Sequence, residues 1–216
     1  MFKKMKDPVS SLTHLAGAVI AIPCCVIIVR EAWLHASLLH AVSFIIFGVS
    51  LFLLYCASAV YHMLPLSEKA SETLRRVDHM MIFILIAGTY TPICLIPLHG
   101  AWGYTLLALV WAFALFGIIL KAVWIDAPRK LSTALYLIMG WLALIAFFPL
   151  VRSLPIGGVL LLIAGGLTYS AGAVIYALKR PKINFKYFGF HELFHLFVLG
   201  GSAFHIVLMF KYILVF

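Results

Sequence analysis

Apolar positions run through this 216-residue chain in seven long blocks separated by short polar connectors. The blocks fall at 12–30, 40–63, 77–97, 102–122, 131–151, 156–178 and 189–213, and each comes close to the ~20 residues a helix needs to cross a bilayer's hydrocarbon core. No block alternates with period two, so barrel strands are excluded and helices remain. Helices also satisfy their own backbone hydrogen bonds, as lipid demands. Breakers punctuate the connectors: Pro65, Pro97 with Gly100, Pro128, Pro155 with Gly157, and Pro181. The pattern predicts an all-α integral membrane protein, a single seven-transmembrane helix bundle over residues 1–216. Residues 1–11 are expected to form a short basic N-terminal segment.

Composition agrees. Hydrophobic residues make up 65% and charged residues 11% of the chain, with mean hydropathy +1.13. A soluble domain carries roughly a quarter charged residues, so a soluble enzyme, a disordered tail and a free nucleic-acid binder are excluded. The net charge of +9 belongs to the connectors, where Lys and Arg set topology and meet anionic headgroups. Thirteen of these basic residues lie on one side: the N-terminus (Lys3, Lys4, Lys6) and the second, fourth and sixth connectors. Only Arg30, Arg152 and Lys211 lie on the other. That asymmetry predicts a cytoplasmic N-terminus and an external C-terminus. Cys24, Cys25, Cys56 and Cys94 all sit in apolar blocks, without metal-binding or disulfide spacing. No small-residue cleavage site follows the first block, which reads as a membrane span rather than a removable signal.

Polar groups inside spans are costly and mark function, so the nine histidines are informative when sorted by depth. His14, His62, His79, His191 and His195 all fall at the expected cytoplasmic ends of their spans, as does Asp78. His35, His40 and His99 fall in or beside external connectors. His205 lies ten residues beyond His195, ~15 Å along a helix, and reads as a packing or interhelical hydrogen-bonding residue.

The segment His191-Glu192-Leu193-Phe194-His195 places two imidazoles one turn apart on one helix face, a spacing that lets both hold one metal ion. Read literally it is H-E-x-x-H, with Glu192 as general base. The plain alternative is two interfacial histidines and a snorkelling glutamate. A second i, i+4 pair, Ser58 and His62, lies at matching depth. A third imidazole gives a three-histidine set that leaves a fourth tetrahedral position for water, the arrangement of catalytic zinc. Ser58 suits a hydrogen bond beside such a site better than ligation. Asp78 is the carboxylate expected to face the water, the alternative being an ion pair with Arg75 or Arg76. Glu192 competes as base, although one residue's rotation turns it about a quarter of a turn from His191. The Gly88-Thr89-Tyr90-Thr91-Pro92 stretch is expected to break or kink the third helix.

These residues resemble a known pattern. Seven spans, Ser58-x-x-x-His62 on the second, Asp78 at the start of the third and His191-x-x-x-His195 on the seventh look like the hemolysin III family. This is the bacterial branch of the progestin and adipoQ receptor superfamily, related to alkaline ceramidases. Leu12-Thr13-His14-Leu15-Ala16-Gly17 also resembles the bacterial members. The resemblance implies zinc held by His62, His191 and His195, with Ser58 and Asp78 as polar companions. It implies a multi-pass protein of the bacterial cytoplasmic membrane, with membrane lipids as substrate or ligand and intramembrane amide hydrolysis as the activity. A zinc-stabilised sensor, a transporter and a hemolysin-like pore are the alternatives. The long N-terminal domain of the receptor members has no counterpart in the residues before the first span, so a hormone-receptor role is not expected.

Overall fold

The computed structural model describes residues 5–183 and 185–216; Lys3 and Lys4 lie outside them. Helices α1 (Pro8–His35), α2 (Leu38–Met63), α3 (Glu68–Leu95) and α4 (Ala101–Val123) form the first four spans. The fifth is composite: α5 (Arg129–Gly140), a 3₁₀ turn (Leu142–Ala146) and α6 (Phe147–Ser153). Helices α7 (Ile156–Leu178) and α8 (Phe190–Leu208) follow, and α8 ends in a π turn, Met209–Ile213. Seven segments are thus long and apolar enough to cross a membrane, and no strand occurs among the described residues.

Local chemistry sets the helix ends. Pro8 opens α1, where its fixed φ and missing N–H are harmless. The Ser37 hydroxyl accepts the His40 N–H at the start of α2. The Glu192 carboxylate accepts the Gly189 N–H at the start of α8. Gly100, at φ +111° before α4, occupies backbone space that side-chain-bearing residues avoid.

Two elements differ from the sequence expectation. Helix α3 begins at Glu68 rather than near residue 77, because the polar first turns are good helix formers and an acidic residue favours a helix N-terminus. Asp78 therefore lies about three turns inside α3. The helix also continues through Gly88-Thr89-Tyr90-Thr91-Pro92 without a break. The break comes instead in the fifth span, after Gly140.

Helix α1 packs between α2 and α8, α2 also packs on α3, α3 on α4, and α7 on α8. Their shared core contains Phe44, Leu51, Tyr55, Phe83 and Val110. Leucine, isoleucine, valine and phenylalanine side chains cover much of the exterior, the surface expected where lipid is the solvent. The fifth span is the least buried of the seven.

Candidate metal centre

His62 lies in the last turn of α2, and His191 and His195 lie in the first two turns of α8. The backbone N–H of Asp7, just before α1, donates to the His62 carbonyl at 2.9 Å and stitches the start of α1 to the end of α2. Packing α1 onto α8 then brings the three imidazoles together. One ring nitrogen from each lies within 4.8 Å of the other two. His62 and His195 are buried and His191 is half-buried.

Each of the two buried rings is held by its far nitrogen. His62 Nδ1 bonds Asp7 Oδ2 at 2.9 Å, and His195 Nδ1 donates to the Ser10 carbonyl at 3.3 Å. With the proton on Nδ1, each ring presents its Nε2 lone pair. The Asp7 carboxyl is held below its ordinary range, chiefly by the hydrogen bond from His62. Neither Asp7 nor Ser10 stands out in the sequence as part of the site, because only the α1–α2–α8 packing joins them to it. His14 lies in the same layer as the three imidazoles but belongs to no spaced pair. Its ring lies flat on that of His195, and both of its buried nitrogens lack partners among the described residues.

The donor set fits a zinc ion. Imidazole nitrogens suit this metal, and ligand bonds of ~2.0–2.1 Å in a tetrahedron set neighbouring donors ~3.3 Å apart. The Nε2 atoms of His62 and His191 lie 3.2 Å apart. The Asp7–His62 pair also reproduces the carboxylate–histidine arrangement that orients metal-binding imidazoles.

A cavity of about 150 Å³ borders the cluster, and its lining includes Ser58, Asp78, His79 and His14. Arg75 pairs with Asp126 at 2.8 Å and Arg76 with Glu72 at 2.6 Å. The expected alternative for Asp78, an ion pair with one of these arginines, therefore does not form. Its carboxylate has no hydrogen-bond partner among the described residues and borders the cavity. The Ser58 hydroxyl is likewise without a partner there. Glu192 is committed elsewhere: its two oxygens accept the Ser10 hydroxyl at 2.7 Å and the Gly189 N–H at 2.8 Å.

The cavity extends well beyond the cluster, to Trp141, Tyr169, Ser170 and His205. Ser170 and Ser202, which look scattered in the sequence, are organised here. Trp141 Nε1 donates to Ser170 Oγ at 3.0 Å. Ser202 Oγ accepts from Tyr55 at 2.6 Å and bonds Tyr169 at 2.8 Å.

The sequence matches the haemolysin-III related family over residues 2–206. The chain belongs to the haemolysin III family. It is 42% identical to Hemolysin-3 of Bacillus cereus over 194 residues, covering 90% of this chain and 85% of that protein. It is 43% identical to the Hemolysin-3 homolog of Bacillus subtilis (strain 168) over 203 residues, covering 94% and 92%. A distant likeness reaches the human monocyte to macrophage differentiation factor, 25% identical over 172 residues, which is 78% of this chain and 69% of that protein. This human relative supports the wider superfamily placement.

Proposed function

We propose that this haemolysin III family member is a zinc-dependent hydrolase of an amide-linked, ceramide-like lipid. We place it in the bacterial cytoplasmic membrane, with the imidazole cluster towards the cytoplasm. The observation that carries the reading is the convergence of three imidazole nitrogens within 4.8 Å, beside a cavity that Asp78 and Ser58 also line. His62, His191 and His195 would hold the ion. Zinc in such a setting supplies Lewis acidity towards a carbonyl and a water activated near neutral pH.

The protein's own groups do the rest. Asp78, unpaired at the cavity wall, orients the attacking water, takes its proton as the water oxygen bonds the carbonyl carbon, and passes that proton to the amide nitrogen as the C–N bond breaks. The Ser58 hydroxyl donates to the carbonyl oxygen as charge builds there. Asp7 and the Ser10 carbonyl fix two of the three imidazoles, His62 and His195, which limits the reorganisation needed when substrate arrives. The largely apolar walls receive an acyl chain and exclude bulk water, which strengthens each polar contact.

Metal analysis of detergent-purified wild type beside His62→Ala and His195→Ala tests the ligand set. Near-stoichiometric zinc in wild type and its loss in both variants is the expected result. A metal-free wild type overturns the reading. Incubating zinc-loaded protein with a broad bacterial and sphingolipid extract tests the chemistry, and absence of any released fatty acid overturns the hydrolase.

The names of the Bacillus relatives, Hemolysin-3 and Hemolysin-3 homolog, favour a second reading, membrane lysis, which a pore would perform. Asp78→Asn separates the two: a pore keeps its lytic activity in this variant, and the hydrolase loses its turnover.

A further inference from the structure

We infer that the end of the cavity remote from the imidazole cluster is a hydrogen-bond-accepting subsite built on His205, and that it selects lipids with a hydroxyl part-way along the acyl chain. The inference rests on the reading above, in which the lipid's carbonyl end sits at the imidazole cluster.

His205 is buried on α8, and its Nδ1 donates to the Gly201 carbonyl at 2.7 Å. That bond fixes the tautomer, so Nε2 carries a lone pair and no hydrogen. Nε2 has no donor among the described residues, and His205 is one of the residues lining the cavity. The neighbouring polar groups are already committed. Trp141 donates to Ser170, Ser170 donates to the Gly166 carbonyl at 2.7 Å, and Tyr55 and Tyr169 meet on Ser202. An acceptor is left over in a place where burial without a partner is costly.

The surroundings hold the ring in that position. Tyr169 stacks on it with centroids 5.4 Å apart. Gly165 leaves room for the imidazole, since a methyl group there would overlap it. A ring kept this tightly placed, one face on an aromatic and one nitrogen tied to its own helix, presents the other nitrogen in a fixed direction.

Geometry then sets the chemistry of the occupant. His195 and His205 share the uninterrupted helix α8, so the two ends of the site are ~15 Å apart by helix rise. Leu85, Ile86, Leu137, Phe194 and Val198 supply apolar wall. A lipid carbonyl at the cluster thus projects an extended chain past apolar side chains towards the unpartnered Nε2 of His205. An unsubstituted chain would cover Nε2 with methylenes and leave it unpaired. A mid-chain hydroxyl would donate to it.

The test uses full-length, zinc-loaded protein in nanodiscs, with displacement of radiolabelled stearate by stearate, 12-hydroxystearate and 12-methoxystearate. The expected result is roughly tenfold tighter binding of 12-hydroxystearate than of stearate. No such preference is expected for the methoxy analogue, whose oxygen cannot donate. In His205→Leu the ratio of hydroxy to parent affinity should fall to about one. Equal binding of all three acids by wild type overturns the subsite and leaves the hydrolase reading standing. So does an equal gain with the methoxy analogue, which would point to steric fit or a bridging water. Binding of none of the acids overturns both.

Discussion

The imidazole of His14 lies face to face with that of His195, ring centroids 3.7 Å apart and planes 11° from parallel. Tyr55 meets the His14 ring edge-on at 5.1 Å, so His14 is a wedge between a core aromatic and a candidate zinc ligand. It makes no hydrogen bond of its own among the described residues. Its contribution is then the shape and face of a flat ring. His14→Ala should lower zinc affinity several-fold, in line with the ~0.5–1.5 kcal/mol of an aromatic contact. His14→Phe should restore most of it, because phenylalanine keeps the flat face. Chelator competition on the three proteins measures both. A loss in His14→Phe as deep as in the alanine variant would show that the nitrogens matter instead.

Asp7 acts on the cluster through His62. Its side chain is 40% exposed, so as an ion pair in water it would contribute little to stability. Its effect lies in holding Nδ1 and aiming Nε2. Asp7→Asn should therefore weaken zinc binding by ~10–100-fold, the usual cost of losing a carboxylate behind a histidine ligand. The melting temperature of the zinc-free protein should change little. Zinc titration followed by calorimetry, beside melting of chelator-treated samples, separates the two effects.

The spans were legible because lipid requires unbroken apolar length, and depth sorting then put His62, His191 and His195 in one layer. Where pattern and physics diverged, the cause lay mostly off the local sequence. The first turns of α3 are polar, so hydropathy skipped them although Ser67 and Glu68 are helix-starting residues. Asp7, Ser10 and His14 join the site only when α1 packs onto α2 and α8. The unpaired state of Asp78 depended on where Arg75 and Arg76 turn, which spacing on one helix left open. The break in the fifth span lies just before Pro149, which has no N–H to give residue 145 and crowds its carbonyl, but the partner that satisfies the break, Tyr90, comes from a different helix.

Asp78 and Glu192 should separate cleanly on substitution. Asp78→Asn keeps the shape of the cavity wall and should leave zinc bound while reducing hydrolysis by ~10²–10⁴-fold, the range for loss of a general base. Glu192→Gln should retain turnover, because this carboxylate is occupied by Ser10 and the start of α8. Its cost should appear in stability, on the order of 1 kcal/mol for a weakened helix cap. Turnover and thermal melting of both variants decide between them. Abolished turnover in a well-folded, zinc-loaded Glu192→Gln protein would reverse the assignment.

The broken fifth span offers a test of the fold itself. In hydrocarbon a helix interruption leaves backbone groups unpaired unless the protein supplies partners. Tyr90 supplies two: its hydroxyl donates to the Gly140 carbonyl at 2.7 Å and accepts the Ala143 N–H at 2.9 Å. Tyr90→Phe removes one oxygen and strips partners from both sides of the break. Each orphaned group costs ~1–3 kcal/mol, so the variant should melt well below wild type. A loss of this size from one hydroxyl is hard to produce by packing, since phenylalanine fills the same space. The same substitution should speed amide exchange around residues 140–143, which line the cavity at Gly140 and Trp141. Hydrogen exchange by mass spectrometry in nanodiscs reads this directly. Unchanged protection in Tyr90→Phe would mean that the 3₁₀ turn holds its own hydrogen bonds without the latch.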